Sequence, residues 1–174
     1  MRIITFLILL ITPFNLSSQE IKRVDADRSI INYTGKHFLH KWSAENTNIS
    51  GLVQLDDLSI SNIGIVAKVS DFKSGNSNLD SNSLRVIEAL KFPNIIFKST
   101  SITNENGQTI IEGKIEFHGV EKEIYVLAEV IELEDYTKLT GEFNLNLTDY
   151  LIDRPSLLLR KIDDAISIKF DIFF

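Results

Sequence analysis

The chain has 174 residues, 44% of them hydrophobic and 24% charged, with a formal net charge of −6 and a pI near 5.1. That size fits one domain with an ample core, and the acidic balance excludes attachment to nucleic acid by bulk electrostatics, because no basic surplus exists to release phosphate counterions. The chain has no cysteine, which excludes disulfides, thiolate metal sites, a cysteine nucleophile and a lipidated-cysteine anchor.

The N-terminus reads Met1-Arg2, then an apolar run from Ile3 to Ile11, then Pro13 and Asn15 as breakers and Ser17-Ser18 before Gln19. A short basic start, a brief apolar run and small residues are the layout of a secretory leader. The run is too short to span a bilayer comfortably. Residues 1–18 are therefore expected to be a signal peptide, and residues 19–174 to form one domain in the periplasm or outside the cell, with no membrane span once the leader is cut.

From there on, segments with alternate apolar residues recur between clusters of Gly, Asn, Asp and Ser. The pattern predicts strands near 21–26, 28–36, 46–55, 61–71, 94–102, 108–118, 121–133, 137–148 and 165–174. The cleanest carry one apolar and one polar face. In 62–69 the apolar set is Ile63, Ile65, Ala67 and Val69; in 108–118 it is Thr109, Ile111, Gly113, Ile115 and Phe117; in 166–174 it is Ile166, Ile168, Phe170, Ile172 and Phe174. One wet face per strand marks antiparallel pairing; parallel strands covered on both sides read as continuous apolar runs. Asn106-Gly107 supplies a hairpin turn with positive φ, Gly119 to Lys122 the next, and Glu134-Asp135 a third. Residues 94–148 thus read as a four-strand meander.

Residues 78–91 differ. Leu84, Ile87 and Leu90 fall at three-residue spacing, Asp80 or Ser81 suits an N-cap, and Pro93 lies just beyond, which predicts one or two helical turns crossing one end of the sheet. Residues 149–164 read as a long loop, and Trp42 as part of a loop between strands. The fold class is all-β: an antiparallel, lipocalin-like barrel of eight or so strands with a short helical segment near 80–91. Closing the sheet removes its exposed edges. A barrel of that size is either filled by its own side chains or holds one small ligand.

The inward parity set gives the candidate lining: Phe97, Ile111, Ile115, Phe117, Val126, Ala128, Phe143, Leu145, Ile166, Ile168 and Phe170. The small residues Gly113, Ala128 and Gly141 are expected to leave space, and Trp42 to stand at the ligand mouth, where amphipathic aromatics favour a rim. Catalysis would need grouped acids, bases or nucleophiles. His37 and His40 differ in parity, so on one strand they point to opposite faces and cannot grip one metal, whereas on a turn they could. His118 is expected to hydrogen-bond a neighbouring loop. The pairs Asp56-Asp57 and Asp163-Asp164 suit solvated turns, and the residues around Asn76, Asn78 and Asp80 lack the closing Glu of a calcium loop. No catalytic role, cofactor or metal is expected.

Asp80 in a Ser/Asn-rich helix start, Phe92-Pro93 before Ile95 to Phe97, and His118-Gly119-Val120 with a charged turn follow one another in the order found in the YceI-like family, which this chain resembles. Asp27 to Lys36 is similar to the family's first long strand, and Asp164 to Phe174 to its closing strand. Asn82 stands where many relatives carry His. The resemblance implies a periplasmic or secreted lipocalin-like barrel whose partner is an apolar small molecule, such as a polyisoprenoid or other lipid, held inside. A filled barrel serving as a structural or stress-related module is the alternative, and a homodimer is left open.

Overall fold

The computed structural model describes residues 18–174; the expected leader, Ser18 apart, lies outside the described residues. In chain order the elements are β1 (Gln19–Arg23), β2 (Ile30–His37), β3 (His40–Asn46), β4 (Ile49–Asp56), β5 (Ser59–Lys68), helix α1 (Ser77–Val86), β6 (Asn94–Glu105), β7 (Gln108–Phe117), β8 (Val120–Glu132), β9 (Thr137–Asn146), β10 (Ser156–Leu157), β11 (Arg160–Lys161) and β12 (Ala165–Phe173), with 3-10 turns at Val69–Asp71 and Leu147–Tyr150. Ten strands form one antiparallel sheet in the order β1-β4-β5-β6-β7-β8-β9-β12-β2-β3, and β10 pairs with β11 in a separate two-stranded hairpin. The long sheet curls into a lipocalin-like half-barrel, slightly larger than the eight or so strands expected.

Local chemistry sets the meander. Asn106 and Gly107 both have positive φ (51° and 81°), the conformation that a two-residue hairpin with native strand twist requires. The β7–β8 turn is His118-Gly119, with φ of 52° and 74°, rather than the four residues from Gly119 onward. β8 and β9 pair only between 128–132 and 137–141, so residues 120–127 of β8 run beyond the ladder with β9. The curl is tied across its edges. Glu45 on β3 exchanges backbone hydrogen bonds with Lys73, Asn46 Nδ2 donates to the Lys68 carbonyl at 3.1 Å, and the Asp25 N–H, just after β1, donates to the Phe173 carbonyl of β12 at 2.8 Å.

Two apolar clusters line the concave side. One includes Val53, Ile63, Ile111 and Ile172; the other gathers Phe117, Tyr150, Ile152 and Ile166. Leu84, Val86 and Ile87 pack on the second, which places α1 across one end of the half-barrel as expected, but Leu90, the third residue of the expected spacing, lies beyond the helix and is fully exposed. The cap differs from expectation. Asn76 is the N-cap, its side chain accepting from the N–H groups of Asn78 and Leu79. Asp80 instead turns back and accepts from the N–H and hydroxyl of Ser74. The helix starts earlier because Asn76 combines extended backbone with a short acceptor side chain.

The larger departure is β3. Residues 40–46 form a strand, so Trp42 sits in the sheet opposite Gly35 and not in a loop. Its inward residues include Ala44 and the fully buried Asn46, a set with no aliphatic stripe.

Candidate functional site

Antiparallel register brings several chain segments to the end covered by α1. Thr34 near the end of β2 faces Ser167 on β12, Ala165 at the start of β12 faces Asn146 at the end of β9, and Phe117 faces Val120 across the β7–β8 turn. Below this end the concave face of the sheet encloses a cavity of about 520 Å³, within the range of small-molecule sites.

The interior of the cavity is apolar. The residues expected at Phe97, Ile111, Ile115, Phe117, Val126, Phe143, Leu145, Ile166, Ile168 and Phe170 all line it, as does Trp42. Ala128 does not: it is buried in the core cluster, where it pairs across the sheet with Gly141. The expectation that small residues leave room for a guest is also corrected. A Cβ on Gly113 would meet the Phe97 ring at 2.5 Å, and one on Gly141 would meet the Phe170 ring at 2.7 Å. The glycines give their space to aromatic rings that lie against the sheet, and the cavity opens inside those rings. Residues not carried into the expected lining include Ile31 and Tyr33 on β2, Ile65 and Ala67 on β5, and Leu84 and Ile87 at α1. The β5 pair was readable from its alternation; the helical pair has no period-two signal.

Polar lining is confined to one end. Tyr33, His37, His40 and Trp42 come from β2 and β3, Asp80, Asn82, Ser83 and Arg85 from α1, and Ser156 from β10. His40, Asn82, Arg85, Pro155 and Ser156 both line the cavity and are exposed to solvent, so they mark its mouth. Burial pushes the Tyr33 hydroxyl up from the ordinary phenol range, with Ser83 and Trp42 as its polar neighbours. The Ser74 hydroxyl bonded to Asp80 holds that carboxyl below its usual range.

The histidines take three different positions. His37 and His40 are register partners across a two-residue hairpin, their rings 5.9 Å apart. They therefore share a face, contrary to the single-strand parity argument, because the hairpin loop of Phe38 and Leu39 reverses the chain between them. No group of three or more metal-ligating side chains exists among the described residues. His37 Nε2 donates to the Arg160 carbonyl at 3.3 Å, while its buried Nδ1 has no hydrogen-bond partner among the described residues. His118 hydrogen-bonds neighbouring segments, as expected: Nδ1 donates to the Tyr150 carbonyl at 2.9 Å and Nε2 reaches Glu88 Oε2 at 3.0 Å, with the ring 4.6 Å from that of Phe92. Neither His118 nor Glu88 lines the cavity; the pair ties α1's trailing turn to the 147–150 turn. Burial, and after it Asp149, pushes the Tyr150 hydroxyl up to about 12.

A family model described as the YceI-like domain matches residues 23–174. Among solved structures, BcnA of Burkholderia cenocepacia superposes with a TM-score of 0.79 at 16% identity, covering 87% of this chain and 99% of that one. A polyisoprenoid binding domain from Saccharophagus degradans, implicated in plant cell wall breakdown, gives 0.73 at 14% identity over 90% and 97%. The Campylobacter jejuni YCEI protein gives 0.61 at 16% identity over 98% and 92%. At such identities these likenesses concern the fold. No curated protein matches the chain.

Proposed function

Because the chain belongs to the YceI-like family, we propose that it is a non-catalytic extracytoplasmic carrier that holds one long apolar molecule, an isoprenoid or other lipid, inside its half-barrel. The observation that carries this reading is the shape of the cavity's chemistry: an apolar interior with every polar lining group at the mouth. Such a gradient suits a molecule with a long hydrocarbon tail and a small polar head, the tail inward and the head beside Tyr33, Asp80 and Ser83. The polyisoprenoid-binding domain among the structural neighbours supports the same ligand class, and the leader-like N-terminus supports export.

Energetics favour tail binding without a specific polar contact. A chain that buries about 300 Å² at about 25 cal/mol per Å² gains on the order of 7 kcal/mol before ordering costs. Binding without chemistry is supported by how the mouth groups are engaged. Asp80 accepts from Ser74, which does not line the cavity, and His37 donates to the Arg160 carbonyl, so both are engaged in structural hydrogen bonds. The alternative, a filled barrel acting as a structural module, is disfavoured by the volume of the cavity.

Native mass spectrometry of the full chain recovered from cells that export it tests the proposal. One apolar guest per chain, released into organic solvent and identified there, is the expected result. A guest-free mass, together with failure to take up farnesol or palmitate from detergent solution, contradicts it.

A further inference from the structure

We propose that the mouth end of the half-barrel is a docking surface for an anionic lipid bilayer, formed by the tips of the β2–β3 and β10–β11 hairpins. Phe38 and Leu39 make the first tip, at 53% and 55% exposure; Leu158 and Leu159 make the second, at 70% and 102%. The tips adjoin each other. The Arg160 guanidinium lies 4.7 Å from the centre of the Phe38 ring, and the Asp163 N–H donates to the Lys36 carbonyl at 2.9 Å. Four large apolar side chains thus stand together in water beside the cavity mouth, and a grouping of that kind marks an interaction surface.

The backbone adds an independent sign. Leu158 and Leu159 have φ of 51° and 65°, a region where an aliphatic side chain is strained. A two-residue turn of this kind favours Asn-Gly. The same chain puts Asn106-Gly107 and His118-Gly119 at turns with those φ values, and Asp57-Leu58 at a third, where only the second position is leucine. Leucine at both positions serves neither the turn nor the core.

Charge selects the partner. Lys36 and Lys41 are register partners two residue pairs below the first tip, and Arg160-Lys161 directly follow the second. All four are exposed, and none is ion-paired among the described residues. They form a cationic collar on a chain of net charge −6. The carboxylates of the second loop, Asp153, Asp163 and Asp164, flank its hairpin at the base. Apolar tips inside a basic collar match a bilayer interface, where aliphatic groups enter the acyl boundary and cations meet lipid phosphates. A second copy of the chain is a poorer occupant, since a symmetric contact through this face would bring the two collars together. Docked this way, the mouth faces the leaflet, so a guest passes into the cavity without crossing water. That transfer step rests on the carrier reading; the docking does not.

The test compares the full chain with its Leu158→Asn/Leu159→Gly variant in cosedimentation with vesicles of phosphatidylcholine alone and of phosphatidylcholine with phosphatidylglycerol. The apolar N-terminal run is common to both chains and cancels. The wild type should bind the anionic vesicles roughly tenfold more tightly than the variant, while the variant unfolds at the same or a higher temperature because Asn-Gly suits the turn. Arg160→Glu/Lys161→Glu should remove most of the preference for anionic over neutral vesicles, by about fivefold per charge. Equal binding by wild type and the Asn-Gly variant, or no preference for the anionic lipid, overturns the proposal; so does a wild-type dimer that the variant abolishes, which assigns the face to a second copy. Uptake of farnesol from detergent solution should be equal in both chains, so a failure of docking leaves the carrier reading standing and a failure of uptake leaves docking to be judged on vesicles alone.

Discussion

Asp80 shows how one side chain serves both the helix and the cavity. It lines the mouth, and it accepts from the Ser74 N–H at 3.0 Å, fixing the chain as it enters α1. Its carboxyl is depressed chiefly by the Ser74 hydroxyl bond. A depressed carboxyl contributes stability that is present above the unfolded-state value, about 4, and is lost as pH falls through the folded-state value. Asp80→Asn should therefore lower stability at neutral pH, and the difference from wild type should shrink below about pH 4. Urea midpoints measured across that range check it; a constant difference would mean that the charged form of Asp80 does not matter. The neighbouring cap was not legible in the sequence, because Asn76, Asp80 and Ser81 are all competent cap residues and only the backbone at 76 decides among them. Asn46 was illegible for a related reason. Fully buried and bonded to the Lys68 carbonyl and the Asn48 N–H, it occupies an inward position where alternation predicts an aliphatic side chain. That substitution of polar for apolar hid β3.

At the scale of elements, three aromatic rings lie over glycines of neighbouring strands. Trp42 covers Gly35 on the neighbouring strand, Phe97 covers Gly113 and Phe170 covers Gly141. Each pairing lets a bulky ring lie along the sheet, a device that also pins strand register. Gly35→Ala would place its Cβ 2.3 Å from the Trp42 ring, forcing the indole toward the mouth. The emission of Trp42, the chain's one tryptophan, should shift, and affinity for an apolar guest should fall at least severalfold, with about 1–3 kcal/mol lost from stability. Unchanged emission would show that the ring does not rest on Gly35. The strands with aliphatic alternation, β5, β7, β9 and β12, were legible because packing and period agree there. The turn at His118-Gly119 was displaced in the reading because His rarely announces a positive φ, and the β10–β11 hairpin was missed because Leu-Leu is not a turn signal at all.

At the scale of the whole molecule, the inward set read from parity converges on one hollow. It does so because each ring or aliphatic chain comes from every second position of a sheet that curls about them, with Ala128 left in the wall. The curled antiparallel sheet and most of the cavity's apolar lining were thus readable from alternation, and the helix across one end from three-residue spacing, while the mouth, Trp42 apart, was not, since its residues come from a helix, a polar strand and a short hairpin with no shared period. If the hollow holds a guest, filling it should abolish uptake without unfolding the chain. Ala67, buried on β5 and part of the lining, is the position for that: Ala67→Phe should cost about 1–3 kcal/mol by overpacking yet leave a cooperative thermal transition and no measurable farnesol uptake. Uptake equal to wild type would mean that the guest binds elsewhere. The most direct measurement is a high-resolution crystal structure of the chain isolated without denaturation. Continuous density running from beside Ser83 inward past Phe97 to Ile111 is the predicted result; side chains of Phe97, Phe143 and Phe170 turned inward to close the hollow would contradict it.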